Sequence, residues 1–353
     1  MITLPRSADD LTSAWLSGAL GQDVRVVSPP ERLSSFACQV YRVELSGPAG
    51  TPAGVVVKLP THGPVRELLD GLGTYRREVV FYERVAPNCP LRTPRALVAE
   101  LAEDSTDFVL VLEDLAPLTT GDQLAGLSPE QAGVVVDELA RFHAWSWEAP
   151  LLAELADTFP PIDSVAGRAL GEHWLQFFPL GWKVASGLAG DALTPRLSAF
   201  ADHFADYIPL LLDELAAPRV LSHGELRADN LILDGANSPY FIDFQNAQQA
   251  CGPRELAYLL YTSLRREDRR GQDERLVRRY WDGLVAAGIT GYPWEKAWRQ
   301  YRLGLADQLM VTVVACTQYE AADERGRQAL TEMARRALQA IEDNSCLDLL
   351  EGA

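Results

Sequence analysis

Two neighbouring stretches of this chain combine short apolar runs with acidic and amide side chains. "LSHGELRADNLILDG" occupies residues 221–235, and "PYFIDFQNA" occupies residues 239–247. Short apolar runs bounded by polar turn residues predict strands. We therefore expect a strand, a loop and a second strand in the first stretch, and a third strand that ends at Asp243 in the second. In this unit Asn230 and Asp243 would lie side by side at the same end of the strands, and Glu225 would be a third polar group there.

These three side chains suit one kind of chemistry. An amide oxygen and a carboxylate are hard ligands for Mg²⁺, which keeps its remaining positions for water and phosphate oxygens. Glu225 precedes Asn230 by five residues and is available to accept a proton. The order of a base, a metal-binding asparagine and a metal-binding aspartate is that of kinase-type phosphoryl transfer. The sequence thus predicts a Mg²⁺ site at Asn230 and Asp243 and a general base at Glu225.

The amino-terminal third supplies matching parts. "GVVVKLP", residues 54–60, predicts a strand that carries Lys58, one of only three lysines in a chain whose other cations are arginines. A compact ammonium suits the α- and β-phosphates of a nucleotide. "YRREVVFYERV", residues 75–85, predicts a helix that carries Glu78. We expect Glu78 to pair with Lys58 and to fix its position.

Each of these residues also has an ordinary structural explanation. A lysine at a strand end commonly lays its stem on the surface, and a helical glutamate is usually solvated. Asparagine and aspartate in loops mostly stabilise turns. His223 fits a loop-stabilising role better than that of a ligand or base. The joint occurrence of these groups in the order of phosphoryl transfer favours the functional interpretation.

A set of aromatic residues leaves two alternatives open. At helical spacing, aromatic side chains are more often core than ligand contacts. The same residues suit a hydrophobic or ring-shaped acceptor. They are Trp174, Phe177, Phe178, Trp182, Trp281, Trp294 and Trp298.

The periodicity of apolar residues changes along the chain. β-Branched runs at 24–27, 40–45, 55–59, 96–101 and 108–112 predict antiparallel strands, and helices are predicted at the amino terminus, with Ser7 as its cap, and at 65–85. Helical periodicity dominates afterwards, including one helix over 195–215. We predict an α+β, bilobal protein with a nucleotide-binding lobe at 1–113, a hinge at 114–120, and a helical lobe at 121–353 that holds the catalytic loop and the acceptor site.

The composition of the chain argues against several classes of function. The chain has 353 residues and a formal charge of −17, which argues against nucleic-acid binding because that requires a basic face. No apolar run is long enough to span a membrane, and the start lacks the pattern of a secretory leader. Five scattered cysteines without C-x-x-C spacing indicate thiols in a reducing compartment. We expect a cytoplasmic protein without nucleic-acid or membrane partners, and leave its oligomeric state open.

The quoted motifs resemble a known family. "HGELRADNLILD" and "YFIDFQNAQQACGPRELAYLL" are similar to the aminoglycoside phosphotransferase and choline kinase superfamily, and "IDFQ" resembles its ecdysteroid-kinase-like branch. The resemblance implies a protein-kinase-like fold and transfer of the ATP γ-phosphate to a hydroxyl of an aminoglycoside-, choline- or steroid-like acceptor, with ATP and Mg²⁺. It assigns phosphates to Lys58, the ion pair to Glu78, Mg²⁺ to Asn230 and Asp243, and adenine to the backbone of Glu113 to Leu115.

Two departures from the family pattern concern loop and helix positions. The family's glycine-bearing nucleotide loop is here "RLSSFACQVYRV", residues 32–43, without glycine. We expect either that the backbone of Ser34 and Ser35 covers the phosphates instead, or that the cover is loose. Glu255 stands where the family has an aspartate, and we expect a structural role for it.

The third departure concerns the base, because the family has H-G-D where this chain has His223, Gly224 and Glu225. One extra carbon moves the carboxylate by about an ångström, and such a shift can cost on the order of 10²-fold in rate. The chain is thus an active small-molecule kinase with a pocket built for glutamate, a kinase of weak activity, or a catalytically silent nucleotide-binding pseudokinase that acts through a partner. We favour the active enzyme, because a relic kinase would be free to lose Lys58, Asn230 and Asp243.

Overall fold

The chain forms two compact units. The computed structural model describes residues 4–35, 37–103, 107–235 and 238–351. The first unit comprises Met1–Thr119 and Tyr240–Asn246, and the second comprises Thr120–Pro239 and Ala247–Ala353. Asp243 therefore belongs to the first unit, although it follows much of the second along the chain. Two residues of the turn before Tyr240, at 236 and 237, lie outside the described residues.

An antiparallel sheet dominates the first unit. Its strands are β1 Arg25–Val26, β2 Glu31–Leu33, β3 Cys38–Ser46, β4 Gly54–Pro60, β5 Ala96–Leu101 and β6 Phe108–Glu113. The order is β1-β3-β4-β6-β5, with β2 paired to β3. Alternate residues of a strand face opposite sides of the sheet. Val57 and Leu59 of β4 are therefore buried in the core, while Lys58 between them faces the other side.

Three helices accompany this sheet: α1 Ser13–Leu20, α2 Pro64–Gly71 and α3 Thr74–Val80, the last continued by a π-helical turn at Phe81–Val85. The break between α2 and α3 falls at Gly73, whose φ of 71° favours glycine. The predicted cap of α1 is wrong. Thr12 accepts the Trp15 N–H at 3.2 Å, whereas Ser7 begins a separate 3₁₀ turn.

The second unit is mostly helical. Its helices are α4 Pro129–Ser146, α5 Pro150–Glu154, α6 Val165–Leu175, α7 Phe178–Ala189, α8 Pro195–Asp202, α9 Phe204–Leu215, α10 Gly252–Ser263, α11 Arg266–Arg269, α12 Asp273–Ala286, α13 Trp294–Asp307, α14 Leu309–Ala315 and α15 Glu324–Asp343. The single helix predicted over 195–215 is two helices that meet at His203. Within the described ranges, no helix combines the length and the apolar character needed to cross a membrane.

Short strands complete the chain: β7 Thr119–Thr120, β8 Val220–Ser222, β9 Leu231–Leu233, β10 Tyr240–Phe241 and β11 Gln248–Ala250. In the second unit β8 pairs antiparallel with β11. All residues of α10 are buried, so this helix forms the centre of the second unit. The antiparallel sheet and the helical carboxy-terminal part confirm the predicted fold class.

Candidate active site

Lys58 of β4 lies between two carboxylates of the first unit. Its Nζ is 2.6 Å from Glu78 Oε1 and 2.9 Å from Asp243 Oδ1. The Lys58 side chain is 11% exposed and that of Glu78 only 1%. This burial excludes the ordinary explanations, in which the lysine extends over the surface and the glutamate is solvated. The structure thus contains the ion pair that the sequence predicts, and adds Asp243 to it.

The protonation states in this group follow from burial and charge. Burial alone would lower the pKa of Lys58, but Asp243 and Glu78 outweigh it and hold that pKa well above its usual range. Burial raises the pKa of Glu78, the attraction of Lys58 opposes this rise, and the repulsion of Asp243 adds to it. Lys58 is therefore a permanent cation, whereas Glu78 gains a proton more readily than an exposed glutamate.

Packing of α3 against the segment after β10 brings these residues together. Phe81 stacks on Phe244 with ring centroids 3.4 Å apart and planes 8° apart. Asp243 directly precedes Phe244 and has a φ of 73°, in the left-handed region that non-glycine residues rarely adopt. Such an uncommon backbone conformation at a charged residue is typical of functional sites.

Both oxygens of the Asp243 carboxylate have partners. Oδ1 contacts Lys58, and Oδ2 accepts a hydrogen bond of 3.1 Å from Gln245 Nε2. Gln245 lies in the 3₁₀ turn Phe244–Asn246 that follows. The sequence places Gln245 in the "IDFQ" motif, but its contact with Asp243 was not predicted.

The loop after β8 carries the other predicted site residues, in the second unit. Asn230 is buried and its Nδ2 donates to the carbonyl oxygen of Glu225 at 2.8 Å. Because the amide nitrogen is used inside the loop, the amide oxygen is the atom that Asn230 offers to a ligand. The Glu225 carboxylate is 22% exposed, and its Oε1 lies 3.6 Å from Arg227 Nη1. His223 Nδ1 accepts the Glu225 N–H at 3.4 Å, the loop-stabilising contact that the sequence suggests.

A series of hydrogen bonds that leads into the interior of the second unit stabilises this loop. Glu255 at the start of α10 accepts the Gly224 N–H at 2.9 Å with one carboxylate oxygen. Its other oxygen lies 2.8 Å from Nε2 of His143 in α4, whose Nδ1 lies 2.9 Å from the Tyr280 hydroxyl. Glu255 thus fixes the backbone next to Glu225, a structural role that was expected from sequence, with partners that were not.

The remaining predicted contacts lie at the edges of the first unit. Ser34 and Ser35 are exposed between β2 and β3, and Ser35 Oγ accepts the Cys38 N–H at 3.3 Å. Glu113 ends β6, and Leu115 accepts the backbone N–H of Leu118 at 2.9 Å. Their roles in covering phosphates and binding adenine stay predictions.

The aromatic residues divide between core and surface. Phe178 is buried and stacks on Phe204, with centroids 4.5 Å apart. Phe177 is exposed, and the others are half-buried. Arg278 lies over the Trp294 ring, 3.9 Å from its centroid. Phe178 is therefore a core residue.

Comparison with known proteins defines first a class and then a family. The chain has the fold of kinase-like small-molecule phosphotransferases. Residues 33–288, nearly three quarters of the chain, match the model of the ecdysteroid kinase-like family. The chain belongs to this family. A comparison with curated proteins gives no match.

Three solved structures illustrate the fold. An ethanolamine kinase of Plasmodium vivax is 12% identical, with 89% of this chain and 83% of that chain covered and a TM-score of 0.53. A macrolide 2'-phosphotransferase of Brachybacterium faecium is 14% identical, with 92% and 96% covered and a TM-score of 0.52. A spectinomycin phosphotransferase in complex with ADP and spectinomycin is 12% identical, with 98% and 99% covered and a TM-score of 0.50. At these identities the similarity shows the fold alone.

Proposed function

We propose that this protein is a kinase that transfers the γ-phosphoryl group of ATP to a hydroxyl of a small molecule, with Mg²⁺. The observation that carries the proposal is the buried Lys58, whose ammonium is fixed between Glu78 and Asp243. An ammonium that is largely shielded from solvent and held in its charged form suits the phosphates of a nucleotide. The family membership and the ADP bound to the spectinomycin phosphotransferase support the same reaction.

Each residue then has a separate role. Lys58 binds the α- and β-phosphates, and Glu78 fixes its position. The backbone of Ser34 and Ser35 covers the phosphates. The backbone of Glu113 and Leu115, at the start of the predicted hinge, binds adenine. The acceptor is a small hydroxylated molecule of the aminoglycoside, choline or steroid type.

The residues present fit a Mg²⁺ ion. Asp243 offers a carboxylate and Asn230 an amide oxygen, and Mg²⁺ prefers oxygen ligands while it keeps several waters. The amide oxygen of Gln245 is buried and accepts no hydrogen bond from the described residues. It is a further hydrogen-bond acceptor beside Asp243. Asp243 and Asn230 would hold the ion, which would supply positive charge to offset the charge of the phosphate groups.

Glu225 accepts the proton of the acceptor hydroxyl while the hydroxyl oxygen of the acceptor forms a bond to the γ-phosphorus. The bond between that phosphorus and the β–γ bridging oxygen breaks, and ADP leaves with the electron pair. Lys58 holds the phosphates during this exchange. Asn230, whose Nδ2 donates to the Glu225 carbonyl, keeps the base next to a metal-binding residue of the same loop.

The test is incubation of the protein with ATP, Mg²⁺ and a library of hydroxylated small molecules. ADP release and a phosphorylated product, detected by mass spectrometry, are expected with at least one acceptor. Asp243→Asn is the matched control and should abolish turnover while nucleotide binding partly remains. Tight ATP binding without turnover on any acceptor would overturn the proposal and favour a nucleotide-binding protein that acts through a partner.

A further inference from the structure

Gln245 has one satisfied and one unsatisfied amide atom. Its Nε2 donates to Asp243 Oδ2 at 3.1 Å. Its Oε1 is buried and accepts no hydrogen bond from the described residues. A buried polar atom without a partner costs roughly 1–3 kcal/mol. A group that stays in such a position therefore points to a ligand that supplies the missing donor.

The position of Gln245 indicates what that ligand is. The contact with Lys58 occupies Asp243 Oδ1, so Gln245 adjoins the other carboxylate oxygen. Gln245 lies in the 3₁₀ turn Phe244–Asn246, and the Phe244 ring of this turn stacks on Phe81 of the π-helical turn after α3. An amide oxygen beside a metal-binding carboxylate can accept a hydrogen bond from a water of the hydrated metal, and Mg²⁺ retains several such waters.

We propose that Gln245 is a positioning residue of the metal site. Its nitrogen orients the Asp243 carboxylate, and its oxygen accepts a hydrogen bond from a water molecule bound to Mg²⁺. The proposal rests on the proposed function, because it requires that Asp243 bind the metal. Partners of this kind, in contact with a ligand rather than with the metal, typically change metal affinity by roughly 10- to 100-fold when they are removed.

The experiment measures metal-dependent nucleotide binding and needs no acceptor. ADP binding to the full chain is followed by calorimetry during a Mg²⁺ titration and again in excess chelator. Gln245→Met keeps the length of the side chain and removes both amide atoms. We expect about a tenfold higher Mg²⁺ concentration for half-maximal enhancement of ADP binding, with unchanged ADP binding in chelator.

Two controls separate the causes. Gln22→Met, in the turn after α1, makes the same chemical change outside the site and should leave the titration unchanged. Gln245→Ala must give the same shift as Gln245→Met, so that a packing effect of the methionine is identified. A native melting transition for each variant shows that the fold is intact.

Asp243→Asn distinguishes failure of this inference from failure of the proposed function. If Asp243→Asn abolishes the Mg²⁺ dependence while Gln245→Met and Gln245→Ala titrate like the wild type, the role of Gln245 is overturned and the metal assignment stands. If Asp243→Asn also titrates like the wild type, the metal assignment of the proposed function fails, and the role of Gln245 fails with it.

Discussion

Lys58 and Asp243 form a direct ion pair, with 2.9 Å between Nζ and Oδ1, although they lie 185 positions apart along the chain. The same ammonium contacts Glu78, so one cation compensates two carboxylates. The group carries an excess negative charge while both carboxylates are ionised. A divalent cation at Asp243 would compensate this excess negative charge. Metal binding would therefore affect the position of the Lys58 ammonium between the two carboxylates.

Lys58→Arg tests the phosphate assignment. A planar guanidinium cannot replace a compact ammonium between two carboxylates and two phosphates. We expect turnover to fall by at least about 10²-fold, the scale of a misplacement of about an ångström. Steady-state kinetics with saturating ATP measures the effect. Lys296→Arg, at an exposed position of α13, is the matched control and should be neutral. Full turnover of Lys58→Arg would show that the lysine does not bind phosphate.

Glu78→Gln tests the buried ion pair through the pH dependence of stability. The folded protein holds a proton on Glu78 more tightly than the unfolded chain does, because the pKa of Glu78 is raised in the fold. The stabilising contribution of that proton is complete below the ordinary glutamate pKa of about 4.3. It is lost as the pH rises through the raised value. Glutamine mimics the protonated form and does not titrate.

The free energy of unfolding of the wild type, relative to that of Glu78→Gln, should therefore decrease between pH 5 and 8. The expected change is about 1.4 kcal/mol for each pKa unit of the rise that is titrated in this interval. Urea denaturation at several pH values measures it. Parallel curves for the two proteins would contradict a raised pKa of Glu78.

Glu255→Ala tests the support of the catalytic loop. The change removes the acceptor of the Gly224 N–H, in a partly buried hydrogen bond, and the partner of the buried His143. A buried donor left without a partner costs roughly 1–3 kcal/mol. We expect a loss of about 2–3 kcal/mol in the free energy of unfolding, measured by urea denaturation. Glu274→Ala, at an exposed position of α12, should change stability by less than about 0.5 kcal/mol. Equal stability of both variants would show that the contacts of Glu255 contribute nothing.

Local patterns in the sequence were sufficient for the strands and for most helices. The alternation in β4 and the apolar stretches of β8 and β9 depend on neighbours along the chain, and so does the glycine break before α3. The break at His203 was missed because 195–215 has apolar residues at helical spacing on both sides of it. The cap at Thr12 was missed because Ser7 offers an equally good local signal.

The site residues also divide into those that the sequence could predict and those that it could not. Residue type and order were sufficient to single out Lys58, Glu78 and Asp243, because phosphoryl transfer requires those groups. The contacts of Gln245 and Glu255 could not be predicted, since they depend on side chains brought close by folding. The "IDFQ" motif contained the glutamine, but its contact with Asp243 and its unsatisfied Oε1 atom are visible only in the structure. The hinge at 114–120 and the metal pair with Asn230 stay predictions.

Glu225 stands where the resemblance to the family predicts an aspartate base. Its loop is not degraded, because Glu255 fixes Gly224, His223 accepts the Glu225 N–H, and Asn230 binds the Glu225 carbonyl. A loop that keeps all these contacts favours a pocket built for glutamate over a decayed one.

Two substitutions at Glu225 separate these possibilities once an acceptor is known. Glu225→Gln keeps the shape and removes the base, and general-base assistance is worth roughly 10²–10⁴-fold, so kcat should fall by that order. Glu225→Asp shortens the side chain by one methylene and restores the family residue. In a pocket built for glutamate it should be slower than the wild type, because the carboxylate no longer reaches the acceptor hydroxyl. A faster Asp variant would indicate a decayed site, and equal rates for all three proteins would remove Glu225 from the chemistry. We expect the order wild type, then Asp, then Gln.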